Sequence, residues 1–224
     1  MELQEIVPWG RSFEEYRRMF ALTESDLAGS ILGCGDGPAS FNAEATAAGH
    51  SVVSCDPIFD LTAAEIRRRV EETYDPVISR VKQHPERFNW DFFRDAEDLG
   101  RQRLAAMQRF LDDFEQGRRE GRYVTGSLPT LSFADSVFRL ALVSHLLFLY
   151  SQQLDVATHI ASVLELLRVA EEVRLFPLVT LDVRFVNQPT DFFPLEKRDS
   201  SLNTTAFSGS PMSFLSIAFG FAWF

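Results

Sequence analysis

Residues 31–38 read Ile-Leu-Gly-Cys-Gly-Asp-Gly-Pro and place three glycines at the end of a short apolar run. The run from Ser30 to Cys34 predicts a β-strand, and the alanine-rich stretch from Phe41 to Ala48 predicts a helix. A second short run, Ser51 to Cys55, predicts another strand, which the dipeptide Asp56-Pro57 ends. The order strand, glycine turn, helix, strand is typical of a parallel βαβ unit with a right-handed crossover.

The glycine turn and Asp56 together predict a site for a nucleoside. Glycine has no Cβ, so the turn lets a ligand approach the backbone, and the helix behind it offers unpaired N–H groups. Asp56 follows about 20 residues later at the end of the second strand, where a carboxylate can accept hydrogen bonds from both ribose hydroxyls. This combination favours nucleoside binding over a turn that only closes a loop.

The spacing of the glycines distinguishes between nucleoside cofactors. The dinucleotide fingerprint Gly-x-Gly-x-x-Gly, counted from Gly33, would place its third glycine at position 38, which is Pro38. The sequence has no Gly-Lys-Ser or Gly-Lys-Thr, which excludes a Walker-type phosphate loop. S-Adenosylmethionine (SAM) has no pyrophosphate to bind and is compatible with this turn. A nicotinamide-dependent oxidoreductase is the disfavoured alternative.

A charge-rich stretch, residues 62–120, interrupts the alternation of strands and helices. Its apolar residues recur at helical spacing, so it predicts a helical insertion between the second and third strands. Ser12 to Glu15 and Thr62 to Glu65 both have capping-box spacing and predict helix starts. We therefore expect an α/β fold with a doubly wound, mostly parallel sheet and a helical insertion.

Alternation resumes after the insertion. Three further strands are predicted at Arg122 to Thr125, Val137 to Ser144 and Val173 to Leu181, and Asp155 can cap a helix between the last two. Pro177 cannot donate a ladder hydrogen bond, which predicts that the last of these strands lies at an edge or carries a bulge.

The C-terminal part differs in composition from the rest. We expect residues 1–184 to form the domain and residues 185–224 to be an atypical apolar tail, because no charged residue follows Ser200. The almost wholly apolar stretch from Met212 to Phe224 is shorter than the roughly 20 residues that span a bilayer. A poorly specified sheet edge, a membrane-surface segment and a non-native C-terminus all remain open.

Composition narrows the class of partner. The chain has 224 residues, 46% of them hydrophobic, and a formal net charge of −10. An acidic protein repels a phosphate backbone, so nucleic acid is disfavoured as a partner. The N-terminus predicts no signal peptide, and two cysteines and four histidines without ligand spacing predict no metal site. A cytoplasmic protein is expected, and the oligomeric state is not predicted.

Several motifs resemble those of class I SAM-dependent methyltransferases. The segment Gly33 to Gly37 is similar to the family's first motif, and Asp56 corresponds to its ribose-binding acid. The stretch Leu128 to Ser144 is similar to the family's segment leading into the fourth strand. The opening residues 7–12 and the segment Ser144 to Tyr150 resemble a group of uncharacterised bacterial members. The antiparallel hairpin that ends the family's fold is not recognisable in residues 200–224.

The resemblance implies a Rossmann-like fold that binds SAM and transfers its methyl group to an acceptor, either a small molecule or a protein. A non-catalytic protein of the same fold is the alternative. The implied cofactor-binding residues are Gly33, Cys34, Gly35, Asp36, Gly37, Asp56, Pro57, Leu128 and Ser144.

Other residues have two readings each. His145, beside Ser144, is the candidate for acid–base chemistry on the acceptor, the alternative being an ordinary packed histidine. Trp9 and Tyr16 are candidates for a lid over the cofactor or for helix packing. Cys34 and Cys55 are interpreted as core residues, not nucleophiles. Candidates for substrate contacts in the insertion are Tyr74, Trp90 and Phe93, and Tyr150 is a further candidate near the fourth strand.

Overall fold

A computed structural model describes residues 8–87, 90–149, 154–177, 202–209 and 212–219 of the chain. Tyr150 and the segment from Leu178 to Leu181, which the sequence assigns to a strand, lie outside the described residues.

In this part of the chain seven strands form one sheet in the order β3-β2-β1-β4-β5-β7-β6. Strands β1 to β5 run parallel to one another, and β7 is antiparallel to both β5 and β6. The sheet confirms the predicted α/β, doubly wound, mostly parallel architecture. The strands are β1 (Ser30–Cys34), β2 (Ser51–Cys55), β3 (Tyr123–Val124), β4 (Phe138–Ser144), β5 (Ala170–Phe176), β6 (Leu202–Gly209) and β7 (Met212–Phe219).

Most of the described α-helices begin at a residue whose side chain caps the helix. Ser12 and Thr62 both form the predicted capping boxes, and Asp155 accepts a hydrogen bond from the backbone of Thr158. Short 3₁₀ segments follow β2 at Pro57–Asp60 and precede α5 at Pro85–Arg87. The α-helices are α1 (Phe13–Met19), α2 (Glu24–Leu27), α3 (Phe41–Ala47), α4 (Ala63–Gln83), α5 (Ala96–Arg119) and α6 (Val156–Val169).

Alternating side chains of the central strands pack on opposite faces of the sheet. Ile31 of β1 and Leu142 of β4 join a core with α1 and α3. Leu32 and Val143, each adjacent to one of these, join a second core with α6. This alternation is what a sheet covered by helices on both faces requires.

The predicted insertion is confirmed as helices α4 and α5, which pack against each other between β2 and β3. Helix α5 also packs on α3 and β3, so it serves as the crossover helix that a parallel β2–β3 pair needs. An aromatic group, here called the insertion cluster, stabilises this packing, since each fully buried ring contributes roughly 1.5–3 kcal/mol. Its aromatic members are Phe59, Phe110, Phe114 and Tyr123.

Two expectations about the end of the sheet were wrong. Strand β5 spans Ala170–Phe176 in the described part of the chain and lies between β4 and β7, so it is not an edge strand. Pro177 directly follows its last residue and removes no ladder hydrogen bond. The terminal hairpin is also present, since β6 and β7 pair antiparallel from Leu202↔Phe219 to Gly209↔Met212. The signal overlooked in the sequence is Gly209-Ser210-Pro211, a group of turn-forming residues between two alternating runs.

Among the described helices, none has the length and apolar character needed to cross a membrane.

Candidate active site

The candidate site lies at the carboxyl edge of the three central strands. In the register of the sheet, Cys34 of β1 is level with Cys55 of β2 and Val143 of β4. The residues that follow, which include Gly35, Asp56 and Ser144, are therefore brought to one edge. This edge lies where the strand order reverses between β1 and β4, the usual position of ligand crevices in doubly wound sheets.

The backbone of the glycine turn adopts a conformation that would be strained for other residues. Gly35 and Gly37 have φ values of +72° and +56°, in the left-handed region that glycine adopts without cost. A Cβ at Gly35 would lie 2.6 Å from Cδ2 of Leu146, so that position is closed by the loop after β4. A Cβ at Gly37 would meet no atom of the described chain within 4 Å. The backbone at Gly37 is therefore open on the side from which a ligand can approach.

Asp56 ties the glycine turn to the end of β2. Its Oδ2 accepts a hydrogen bond from the Gly37 N–H at 2.8 Å, and its Oδ1 accepts one from the Ile58 N–H at 2.8 Å. Burial raises the pKa of this carboxyl, while the two backbone N–H groups act in the opposite direction. These two hydrogen bonds fix the position of the carboxylate. Because a carboxylate offers about four acceptor positions, Asp56 can still accept hydrogen bonds from ribose hydroxyls. Pro57 begins the 3₁₀ turn beside it and is exposed.

Asp36 turns back from the glycine turn into the protein. It lies over Gly33, where any Cβ would collide with its carboxylate. The Tyr16 hydroxyl donates to Asp36 Oδ1 at 2.6 Å, and the Ser54 hydroxyl donates to Oδ2 at 2.7 Å. Burial raises the pKa of Asp36 to about 6, against the effect of these two hydrogen bonds, and the charge of Asp56 adds to the rise.

Tyr16 lies above this carboxylate and stacks on Phe41 with ring centroids 4.1 Å apart. Burial and the charge of Asp36 raise the pKa of Tyr16 well above its ordinary value. The structure therefore places Tyr16 among the predicted site residues. The hydrogen-bonded group Tyr16, Asp36 and Ser54 is called the edge cluster below.

His145 follows β4 with an unusual backbone, at φ +56°. Its N–H donates to the Phe176 carbonyl at 2.6 Å, and its Nδ1 lies 2.9 Å from Ser144 Oγ. Burial lowers the pKa of His145 well below its usual range, and the nearby charges of Arg11 and Arg103 lower it further. The imidazole is therefore neutral at pH 7, as a general base must be.

A buried ion pair closes the site on the side of the insertion. Arg103 of α5 pairs with Glu15 of α1, and both side chains are buried. Glu15 also accepts a hydrogen bond from the backbone of Ser12, and the Arg103 guanidinium lies over the ring of Phe93. Within the described residues, Arg103 Nε has no hydrogen-bond partner. This contact joins the N-terminal helix to the insertion, and sequence reasoning missed it.

The N-terminal segment passes directly over the glycine turn. A Cβ at Gly10 would collide with the backbone of Pro38, and Trp9 stacks on Tyr74 of α4 with ring centroids 6.1 Å apart. Trp9 thus joins this segment to the insertion, which fits both the lid and the packing reading.

The remaining candidates pack in apolar groups. Trp90 donates to the Pro85 carbonyl and packs with Phe93 in a small apolar group of the insertion. Leu128, on the loop after β3, is half-buried and packs on the core shared with α6.

The two cysteines are side by side in adjacent strands and belong to the hydrophobic core. Burial and a hydrogen bond with Cys55 raise the pKa of the Cys34 thiol well above its ordinary value, the hydrogen bond being the larger cause. Both side chains are buried in this core, which confirms the interpretation of the two cysteines as core residues. Cys34 can reach a ligand only through its backbone.

No protein-family profile matches the chain. A relative from Methanocaldococcus jannaschii, the uncharacterised protein MJ0045, is 33% identical over 182 residues, which cover 81% of each chain. Among solved structures, the PH0226 protein of Pyrococcus horikoshii aligns over 93% of this chain and 91% of its own, with 11% identity and a TM-score of 0.51. The provisionally assigned SAM-dependent methyltransferase mmp1179 of Methanococcus maripaludis aligns over 94% and 84%, with 10% identity and a TM-score of 0.49.

The parallel strands with helices on both faces and the terminal antiparallel hairpin define a doubly wound, Rossmann-like α/β fold. Within this class, the chain belongs to the same family as MJ0045.

Proposed function

We propose that this protein binds SAM at the carboxyl edge of β1, β2 and β4 and transfers the methyl group to an acceptor. The observation that carries the proposal is the link between the Gly37 N–H and the Asp56 carboxylate. This hydrogen bond holds the open backbone of Gly37 beside a carboxylate that can bind ribose hydroxyls, at the point where the strand order reverses.

The residues present fit a nucleoside with a charged amino-acid end. Asp56 would accept hydrogen bonds from the ribose, and the backbone of Gly35 and Gly37 would lie along the ligand. Leu128 on the loop after β3 and Pro57 would line the crevice, with Gly33, Cys34 and Asp36 forming its floor and Ser144 its far side. SAM supplies a methyl group that is already electrophilic, so the protein's main contribution is alignment, worth roughly 7–11 kcal/mol of barrier.

His145 is the proposed base for an acceptor whose nucleophile arrives protonated. It follows the last residue of β4 at the same edge, and its neutral imidazole can take a proton. A small molecule or a protein side chain is the proposed acceptor, because the net charge of −10 disfavours nucleic acid.

Calorimetric titration with SAM and with S-adenosylhomocysteine tests the cofactor site. The wild type is expected to bind both, and Asp56→Ala is expected to bind at least tenfold more weakly, about 1.4 kcal/mol. Asp60→Ala is the matched control, because Asp60 is an exposed carboxylate in the same 3₁₀ turn. Thermal unfolding of each variant separates a lost contact from a lost fold.

Absence of binding in the folded wild type, or equal affinity in Asp56→Ala, would overturn the proposed cofactor site. If SAM binds, a screen of small molecules and peptides with methyl-labelled SAM tests transfer. Binding without transfer to any acceptor would favour the non-catalytic alternative.

A further inference from the structure

His159 of α6 has a carbonyl oxygen beside each of its two ring nitrogens, and its side chain is fully buried. Its Nδ1 lies 2.8 Å from the Asp155 carbonyl oxygen at the start of the same helix, and its Nε2 lies 2.9 Å from the Leu147 carbonyl oxygen. A carbonyl oxygen can only accept a hydrogen bond, so both nitrogens have to donate. A neutral imidazole has one N–H group, whereas an imidazolium has two.

This geometry favours the imidazolium form of His159. With one proton missing, a nitrogen lone pair would face a carbonyl oxygen at 2.8 or 2.9 Å. Burial of a charge costs free energy. Two hydrogen bonds from a cation, each roughly twice as strong as a neutral one, offset this cost together with the Asp155 carboxylate at the N-cap of α6. The Thr158 N–H and, to a smaller extent, the charge of His159 lower the pKa of that carboxylate.

The contact from His159 to Leu147 joins α6 to a loop that closes one side of the candidate site. Residues 145–149 follow β4 and are here called the β4 loop. Leu146, next to Leu147, lies against the glycine turn, since a Cβ at Gly35 would be 2.6 Å from its Cδ2. The hydrogen bond to the Leu147 carbonyl therefore holds in place the residue that supports the backbone of the turn.

The β4 loop contributes no charge that would compete with the charge of His159. Phe148 packs against the ring with centroids 5.9 Å apart and does not titrate. The titratable group of the loop, His145, has its Nδ1 2.9 Å from Ser144 Oγ, and burial holds its pKa well below the usual range. The charge of His159 is therefore balanced from α6 by Asp155.

Loss of the second proton would disturb both contacts of His159, because the imidazole ring is rigid. A rotation that separates one nitrogen lone pair from its carbonyl oxygen also moves the other nitrogen. The Asp155 carbonyl keeps the backbone N–H of His159 as a partner at 3.1 Å. The Leu147 contact joins two separate elements, so its loss removes a hydrogen bond that holds the β4 loop to α6.

We propose that His159, protonated on both ring nitrogens, is a positioning residue that holds the β4 loop against the glycine turn, so that cofactor affinity falls when His159 loses this charge. The inference rests on the proposed function and deepens it by adding regulation by pH. Protonation and cofactor binding stabilise the same arrangement of the loop, so each strengthens the other reciprocally. The regulated range is the one in which histidine usually changes charge, between about pH 5 and 8.

Nuclear magnetic resonance of protein labelled with ¹⁵N-histidine tests the protonation state without any ligand, and His159→Gln assigns the signals of His159. At pH 6 we expect protons on both Nδ1 and Nε2, each protected from exchange with water by burial and by its hydrogen bond. His145 in the same sample should carry a single proton, because burial lowers its pKa. A single proton on His159 at pH 6 would overturn the proposal.

Calorimetric titration with S-adenosylhomocysteine at pH 6 and at pH 8 tests the effect on the candidate site. We expect the affinity to be about tenfold weaker at pH 8, within the usual range of coupling between two sites. In His159→Gln, which has no charge to lose, the affinity should be the same at both pH values. Saturation of the wild type with S-adenosylhomocysteine should also raise the pH at which His159 titrates, a measurement that needs no variant.

Two further variants separate His159 from the other groups that titrate in this range. His84→Gln replaces an exposed histidine of the insertion and should keep the full change in affinity between pH 6 and pH 8. Asp36→Asn removes a carboxyl whose pKa is about 6. The ratio of its affinities at the two pH values should equal that of the wild type.

Equal wild-type affinities at pH 6 and pH 8 would overturn the proposal, as would an equally large change in His159→Gln. Either result would leave the proposed cofactor site intact, because binding itself would have been observed. Absence of S-adenosylhomocysteine binding at both pH values would instead mark failure of the proposed function, and the inference would fall with it.

Discussion

The edge cluster and the insertion cluster are both buried, but different forces stabilise them. The insertion cluster consists of packed aromatic rings, some edge to face as in Phe110 against Tyr123, and depends on burial of apolar surface. The edge cluster consists of hydroxyls and a carboxylate that satisfy one another. The insertion cluster is uncharged, whereas the edge cluster contains a carboxylate whose charge can change. The comparison indicates that burial of apolar surface stabilises the insertion, whereas hydrogen bonds to a titratable carboxylate organise the edge cluster.

The largest effect is expected from Phe110→Ala in the insertion cluster. Phe110 is fully buried, and removal of such a ring costs about 3–5 kcal/mol of unfolding free energy through lost burial and a cavity. Urea unfolding measures the loss. Affinity for S-adenosylhomocysteine should change by no more than about twofold, since distant sites act independently. A large loss of affinity would show that the two clusters are not separate.

Glu15→Gln should destabilise the protein by about 3 kcal/mol, because it leaves the Arg103 cation buried without its counter-charge. The double variant Glu15→Leu, Arg103→Met should recover most of this stability, since an apolar pair needs no charge compensation. Urea unfolding of the three proteins checks both statements. If Glu15→Gln were as stable as the wild type, the ion pair would not be what joins α1 to α5.

Asp36→Asn should change how stability depends on pH. The pKa of Asp36 is raised from 3.8 to about 6 in the folded protein, so between these values the folded state binds more protons than the unfolded state. Stability therefore falls as pH rises through this interval, by roughly 2–3 kcal/mol for this group. Asp36→Asn should lose this part of the pH dependence. Urea unfolding at pH 4 and at pH 7 gives the change in unfolding free energy between the two pH values, which should be smaller in the variant than in the wild type. Parallel profiles would contradict the burial of a charged Asp36.

Gly35→Ala should weaken binding of S-adenosylhomocysteine by about tenfold, or 1.4 kcal/mol. The substitution strains the backbone and pushes a Cβ toward Leu146. Gly121→Ala is the control, because Gly121 has a similar φ of +75° and open space around it. It should cost about 1–2 kcal/mol of stability and leave calorimetric affinity unchanged. Equal affinities in the two variants would mean that the turn is only structural.

Local patterns in the sequence predicted the framework of the fold. The glycine turn, the capping residues Ser12 and Thr62 and the apolar runs act over a few positions, so each can be read without knowing the rest of the chain. The position of Asp56 after β2 was predictable for the same reason, because the end of a parallel strand fixes the edge on which the next residue lies.

Contacts between distant residues could not be predicted in this way. Tyr16 and Asp36 are 20 positions apart, and Glu15 and Arg103 are 88 apart, so their pairing depends on how helices pack. Neither pair has a spacing that distinguishes it from ordinary surface residues. The expectation of an edge strand around Pro177 was wrong for a similar reason. The effect of a proline depends on its position relative to the strand end, and strand ends are the least certain part of a sequence-based assignment.

The pairing of β1 with β4 has a consequence for how the protein is made. Ile31 pairs with Leu140, and the Ser30 hydroxyl accepts a hydrogen bond from the backbone of Arg139, 109 positions later. On the ribosome, the glycine turn emerges long before the strand that completes its crevice, at about 5–20 residues per second. A nascent chain that ends before β4 therefore exposes one side of its central strand to pairing with other chains. The candidate site can form only late in synthesis, once β4 has emerged.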